Sequence, residues 1–403
     1  MITNGLGSIT PNLSASRTLV MGRTYAVTAV PGPGQVFTGW SGSFTSARQK
    51  LTFVMSADTV LQANFIPSPF LAARGAYHGL FYEADGVRQY SAGFLSVAVT
   101  ARGAYSGWFR VSSNRLSFSG QLNLQCQATN VIQLTPTNAL TLDLQIGTGG
   151  EADQLFGHVT DGNWLANLSG DRAVYSRANP APWAGAYTVL FPGQDGDPTL
   201  PTGDGFGTVR VAANGTVLFA GTLADGTHVS QSVPVSRQGL WPLYASLYTG
   251  RGTLMSWMTF TSRPNDDING IADWIKLPDP QARYYPAGFA TESEAVGSTY
   301  LAPATAAGRV LNLTSASAIF AGGNLAADFA NSITLGVSNK VTNLSNNALT
   351  LTFKPATGVF IGSVVDPASG LLLPFKGAVF QKLNTGCGLL LGTNQSSQVL
   401  IMP

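Results

Sequence analysis

Charge is the scarcest property of this 403-residue sequence: Asp, Glu, Lys and Arg make up 10% of it, against about 25% in an average soluble protein. The 22 basic and 20 acidic residues leave a formal net charge of +2. That excludes the basic footprint of a nucleic-acid reader or of a binder of anionic lipid. Polar surface must come from Ser, Thr, Asn and Gln, which suits the exposed faces of sheets. Cysteine is almost absent. Cys126 and Cys387 are too few for a disulfide framework and read as two unpaired thiols or as one long-range staple. No uninterrupted apolar run reaches ~18 residues, so no transmembrane helix is expected. The opening Met1-Ile-Thr-Asn-Gly-Leu-Gly has no basic and apolar regions of signal-peptide type. It reads like the inside of a domain, and the chain is expected to be a piece of a larger protein.

The usual catalytic signatures are missing too: no Gly-x-Ser-x-Gly elbow, no His-Glu-x-x-His, no phosphate-binding Gly-x-x-x-x-Gly-Lys. The three histidines, His78, His158 and His228, stand far apart in or beside expected strands, without the further ligands a zinc site needs. They read as solvent-facing strand residues.

What the sequence has is apolar content, 44%, with 46 Gly and 22 Pro spread along it. These suit many short strands and tight turns. Alternation such as Gly207-Thr-Val209-Arg-Val211 gives one buried and one polar face. Helical periodicity is nearly absent, and only 292–307 and 321–331 leave room for a turn or two of helix. The expected fold class is all-β, with antiparallel meanders closing into barrels or sandwiches.

Residues 1–66 form a first unit, followed by the linker Ile66-Pro67-Ser-Pro69. The unit carries Tyr25-Ala-Val27-Thr-Ala29, then Phe37-Thr-Gly39-Trp40-Ser41-Gly42, then Ala63-Asn64-Phe65. This pattern resembles the bacterial repeat family related to internalin B-repeats. The resemblance implies a small β-grasp-like module, a spacer or adhesive unit of large extracellular proteins, with Phe37 and Trp40 as core anchors.

Beyond the linker a different repeat begins. Arg74-Gly-Ala-Tyr77-His-Gly-Leu-Phe81 returns as Arg102-Gly-Ala-Tyr105-Ser-Gly-Trp-Phe109 and again as Gly185-Ala-Tyr187-Thr-Val-Leu-Phe191. Val97-Ala-Val99-Thr-Ala-Arg-Gly103 matches Val209-Arg-Val211-Ala-Ala-Asn-Gly215, whose Asn-Gly favours a tight hairpin. Asn138–Leu144 matches Asn347–Phe353, and Ala173-Val-Tyr175 matches Ala378-Val-Phe380. The order of these landmarks places one module at 71–178 and a longer relative, itself doubled or not, at 183–383, with 384–403 as a closing strand pair. The tail Gly386-Cys-Gly-Leu-Leu-Leu-Gly392-Thr-Asn-Gln-Ser396 is similar to the close of glycine-rich β-repeat regions near the C-termini of very large secreted bacterial proteins.

Two constellations can carry chemistry. Asn265, Asp267, Asn269 and Asp273 space oxygen ligands like the first nine positions of a calcium loop, with Gly270 at the sixth. Lys276 then stands at the twelfth position, where the bidentate Glu belongs, so calcium would be held weakly or the segment is a plain Asx-rich loop. Trp241, Tyr244, Tyr284 and Tyr285 offer a stacking platform for a glycan, or else large aromatics that fill barrel ends. The acidic residues Asp195, Asp197, Asp204 and Asp225 each precede or follow a glycine and are explained by turn chemistry.

The expected function is a non-enzymatic structural or adhesive module of a secreted or cell-surface bacterial protein, extracellular, with no obligate cofactor. Its expected partners are glycans or neighbouring repeats of a parent protein, and its sheet edges invite self-association. A carbohydrate-binding module is the alternative reading. A carbohydrate-active enzyme is the third, and needs convergent carboxylates in a cleft.

Overall fold

The computed structural model describes residues 1–15, 18–136 and 138–403. The first unit is built from two three-stranded sheets. One orders Ile2–Asn4, Leu61–Pro67 and Gln35–Gly42; the other orders Gly7–Thr10, Thr24–Pro31 and Lys50–Val54. Alternation in Thr24–Pro31 puts Val27 and Ala29 inside, against Trp40, Phe53 and Phe65. Trp40 is buried, and its indole N–H donates to the Gln49 carbonyl at 3.1 Å. Phe37 meets Trp40 edge to face at 5.8 Å.

The linker is shorter than expected. The strand Leu61–Pro67 runs to its first proline, and one helical turn, Phe70–Ala73, follows the second. Phe70 and Ala73 enter the core of the next unit.

That next unit and the rest of the chain form three eight-stranded antiparallel meanders, each curled into a nearly closed barrel. The first runs from Gly75–Glu83 to Leu165–Arg172, the second from Gly185–Phe191 to Phe289–Thr299, and the third from Ser315–Ala321 to Ser396–Met402. In each, the first strand pairs with the last: Phe81 with Leu168, Val189 with Gly297, Ile319 with Leu400. Curling in this way leaves only one seam per sheet, where an open sheet would leave two free edges. The seam falls between the fourth and fifth strands in the first two barrels and between the third and fourth in the last.

In the third barrel the seam is bridged by amides. The Asn331 side chain, fully buried, donates to Asn343 Oδ1 at 3.1 Å and to Asn347 Oδ1 at 2.9 Å. Asn347 donates back to Asn331 Oδ1 at 3.0 Å and to the Val365 carbonyl at 2.8 Å. These bonds satisfy polar groups that the gap would otherwise leave unpaired.

The repeats are real, but their phase differs from the expectation. Tyr77 and Tyr187 both lie in the first strand of a barrel, and each hydroxyl donates to the carbonyl four residues upstream, Ala73 or Trp183, at 2.8 Å. Gly103 and Gly215 both close the turn after a second strand, at φ 79° and 80°, where a side chain would be strained. The match between 138–144 and 347–353, however, joins the sixth strand of one barrel to the fourth of another. The longer segment 183–383, expected as one module or as a doubled one, is distributed over two barrels, and the strands Thr385–Leu391 and Ser396–Met402, expected as a separate closing pair, are the end of the third meander. Neither region left open for helix is helical: Phe289–Thr299 is a strand, and 321–331 runs from the end of one strand through a turn into Phe329–Leu335.

Neighbouring barrels share hydrophobic cores. Leu80 and Phe94 on the outside of the first pack into the cluster that fills the second. Leu190 and Phe206 of the second pack with Phe380, Cys387 and Leu389 of the third. Hydrogen bonds cross the same junctions: Gln89 to the Gly250 carbonyl at 2.7 Å, and Thr188 to the Val379 carbonyl at 2.6 Å. Both cysteines are free and buried, in different barrels. Burial pushes the Cys387 thiol up to about 12, with the nearby Asp204 carboxylate adding to it.

Candidate functional site

The four aromatics do not share an exposed face. Trp241 is fully buried in the second barrel, edge to face with Phe219 at 5.4 Å, and its indole N–H donates to Gln231 Oε1 at 2.9 Å. Tyr244 is buried on the outer side of the same strand, toward the first barrel. Tyr285 is buried at the other junction, its hydroxyl 3.0 Å from Ser396 Oγ. Tyr284 is half-buried beside Gly392. One platform would need one face. These residues are divided between a barrel interior and two junctions.

The calcium spacing fails for a geometric reason. From Ile268 the backbone is an extended strand, Ile268–Lys276, paired residue by residue with Phe289–Thr299. Six residues of strand carry Asp273 roughly 20 Å from Asp267, too far for one ion. Asp267 instead pairs with Lys382 of the third barrel at 2.6 Å and accepts the Thr299 N–H at 2.8 Å. Burial raises its carboxyl, but Lys382 and Thr299 outweigh that and hold it below the ordinary range. Asn269 donates to Asp266 and Thr261, and Asn265 lies exposed in the preceding turn. Among the described residues no three His, Cys, Asp or Glu side chains gather as a metal site.

Asp273 does take part in a different grouping, a groove of about 530 Å³ between the first and second barrels. One wall is the turn Asp85, Gly86, Val87, Arg88; the other is the outer face of the last two strands of the second barrel, with Asp273 and Glu292. Arg88 clasps Asp85 through two hydrogen bonds, 2.7 and 2.8 Å, and holds that carboxyl near 2. Asp273 and Glu292 sit directly opposite each other on paired strands. Burial, helped by the Glu292 charge, pushes the Asp273 carboxyl up to about 6. Two carboxylates on one open wall, one of them protonated just below neutrality, can accept hydrogen bonds from a hydroxyl-rich or cationic group.

Sequence reasoning missed a buried ion pair and the polar network around it. Lys276 and Asp225, 5% and 2% exposed at their side chains, pair at 3.3 Å inside one end of the second barrel. Tyr248 donates to Asp225 at 2.7 Å, Trp274 donates to Tyr248 at 3.1 Å, and Lys276 donates to the Tyr284 carbonyl at 2.6 Å. Burial and the Asp225 charge push the Tyr248 hydroxyl far above its ordinary range. The signal was present: a lysine closing the otherwise apolar alternation of Ile271-Ala-Asp-Trp-Ile-Lys276. Asp204, also read as a turn residue, is buried between the second and third barrels, where it accepts the Gly193 N–H at 3.0 Å and burial raises its carboxyl to about 6. The histidines divide. His158 and His228 are exposed on strands, but His78 lies in the junction between the first two barrels and burial lowers it to about 4.

Solved structures similar to the chain include a double mutant of transferrin binding protein B from Haemophilus parasuis Hp5, at 9% identity over 98% of this chain and 84% of that one, TM-score 0.20. Isotype 1 of the same protein from serogroup B Neisseria meningitidis matches at 9% identity over 99% and 88%, TM-score 0.20. A mutant Aleuria aurantia lectin in complex with Fucα1-6GlcNAc matches at 11% identity over 89% and 93%, TM-score 0.16. Scores this low carry no argument about fold or ligand. No curated protein matches. Residues 2–69 match the family described as the divergent InlB B-repeat domain, so the two three-stranded sheets that precede the barrels are a module similar to that repeat.

Proposed function

We propose that the chain is a non-enzymatic, extracellular module of a secreted or cell-surface bacterial protein, in which three fused barrels form a stiff stalk behind a B-repeat-like unit. The observation that carries this reading is the sharing of hydrophobic cores at both barrel junctions. Barrels joined only by linkers would move independently, whereas Leu80 and Phe94 cannot leave the second barrel without exposing apolar surface to water. The barrel interiors are filled by side chains, as small barrels of eight strands are, so ligands would meet the outer faces and the junction grooves. Neighbouring repeats of a parent protein and glycans are the proposed partners. The match of residues 2–69 supports an extracellular setting.

Antibodies raised against the barrels and applied to intact cells of the producing bacterium test the reading. Labelling of intact cells, or recovery of the chain from the medium, is expected. Labelling only after lysis would refute it.

A further inference from the structure

The first two barrels enclose a second, smaller hollow of about 210 Å³, lined from one side by Phe94, Trp108 and Arg110 and from the other by Tyr244. Two of its lining side chains, Arg110 and Tyr244, carry buried polar atoms without partners. The Arg110 Nε is buried with no hydrogen bond, and among the described residues its guanidinium makes no ion pair. The register sets Arg110 directly opposite Arg115 on the neighbouring strand. Among the described residues Arg115 makes no ion pair either, and its guanidinium lies over the Trp108 ring at 4.2 Å. Like charges facing each other across a strand pair repel. Tyr244 is 5% exposed, and its hydroxyl is the second buried polar group here without a hydrogen bond of ordinary geometry. Thr253, whose own hydroxyl proton goes to Gln89, is the nearest group that could accept from it. The lining holds no carboxylate. Asp171, an acidic position on the same face of the first barrel, is opposite His78, three strands away from Arg110.

Unmet donors beside two unneutralised cations call for an acceptor bearing negative charge. A guanidinium presents its N–H groups in a fork that fits a carboxylate. Phe94 and Trp108 add apolar wall, which suits the C–H face of a ring. The hydroxyls of Ser96, Ser230 and Ser232 surround it, the last two on exposed positions that open the hollow to solvent. The volume falls below the roughly 300–1,000 Å³ of sites for drug-sized ligands, so one ring fits and an enclosed oligosaccharide does not. We infer that this junction pocket binds a single carboxylate-bearing sugar unit, of the uronic or sialic acid class, with Arg110 holding the carboxylate and Tyr244 donating to the ring substituents. This goes beyond the stalk reading. A chain found at the cell surface without acidic-sugar binding would leave the stalk standing and remove the pocket.

Isothermal titration calorimetry of the full chain against glucuronic acid, N-acetylneuraminic acid, glucose and inorganic phosphate tests it. At least one acidic sugar is expected to bind, with glucose and phosphate each at least about tenfold weaker. Arg110→Gln is expected to weaken that binding by about 10- to 100-fold, as loss of a charged hydrogen bond does, and Tyr244→Phe by several-fold. Circular dichroism melts on each variant confirm that the barrels remain folded. No heat with either acidic sugar, equal binding of glucose or phosphate, or an Arg110→Gln protein that binds like the wild type would each overturn the inference.

Discussion

Replacing Lys276 by methionine would leave Asp225 charged, 2% exposed, and without its counter-ion. Two unit charges 3.3 Å apart attract by about 5 kcal/mol at an effective dielectric constant of about 20. Removing one partner of a buried pair typically costs about 3–5 kcal/mol, because the other stays desolvated. Asp225 keeps the Tyr248 hydroxyl and the Thr227 N–H at 3.0 Å, which soften the loss without neutralising the charge. Asp225→Asn alone strands the ammonium against the Tyr284 carbonyl and the Tyr248 ring, 4.7 Å away. The double variant carries no charge and keeps the acceptor for Tyr248, so it should recover most of either loss, giving a double-mutant coupling of about 2 kcal/mol or more. Because fused barrels need not unfold in one step, the readout is hydrogen exchange in the strand Ile268–Lys276. Lys276→Met should speed its slowest amides by about 10²-fold or more, each 1.4 kcal/mol being tenfold. A change below about tenfold, or a double variant as fast as the singles, would show that the pair is solvated and the reasoning wrong.

Three further outcomes follow from the same geometry. Asp204 and Asp273 have folded-state values raised to about 6, so the native state holds protons that the unfolded chain has released, and stability falls as pH rises from about 4 to 6. For fully buried Asp204 that is about 3 kcal/mol, while Asp273, only half-buried, contributes about 1 kcal/mol after solvent screening; urea titrations should show Asp204→Asn flattening the profile, and an unchanged slope would refute the assignment. Below about pH 4 the depressed Asp267 works in the opposite sense, and stability is lost as its pairing with Lys382 is protonated away. Asn331→Ala, which strips the amides bridging the third seam, should cost about 1–3 kcal/mol by denaturant titration, and a neutral result would mean that the seam is held by backbone alone. Calcium or a chelator should leave the melting temperature unchanged, since Asp267 and Asp273 lie at opposite junctions; a calcium-dependent rise would restore a site in 265–273.

The all-β class was legible because period-two alternation and spread glycine leave no room for helices of useful length. The first unit was legible too, since Gly39-Trp40-Ser41-Gly42 is a compact pattern and Pro67 and Pro69 mark its end. The third barrel was not. Short alternating runs such as Ala139-Leu-Thr-Leu and Ala348-Leu-Thr-Leu look alike at any position of a meander, so matching them cannot say which strand of which barrel each one is. Positions that obey the hydrogen-bonding logic of first strands, Tyr77 and Tyr187, kept their phase because each is tied to its own upstream carbonyl. The buried charges were invisible for a related reason. Asp204 and Asp225 sit before Gly205 and Gly226, where turn chemistry already accounts for an aspartate, while their partners Gln398 and Lys276 are 194 and 51 residues away. The junction pocket needs two barrels to exist, and no local pattern in either one announces it.

Small-angle X-ray scattering of the intact chain, at low and at high salt, tests the stalk most directly. One rigid arrangement of the three barrels should fit both curves, with an unchanged radius of gyration, because the junctions at Leu80, Phe94, Leu190 and Phe380 are apolar. Curves that demand an ensemble of separately moving barrels would contradict it.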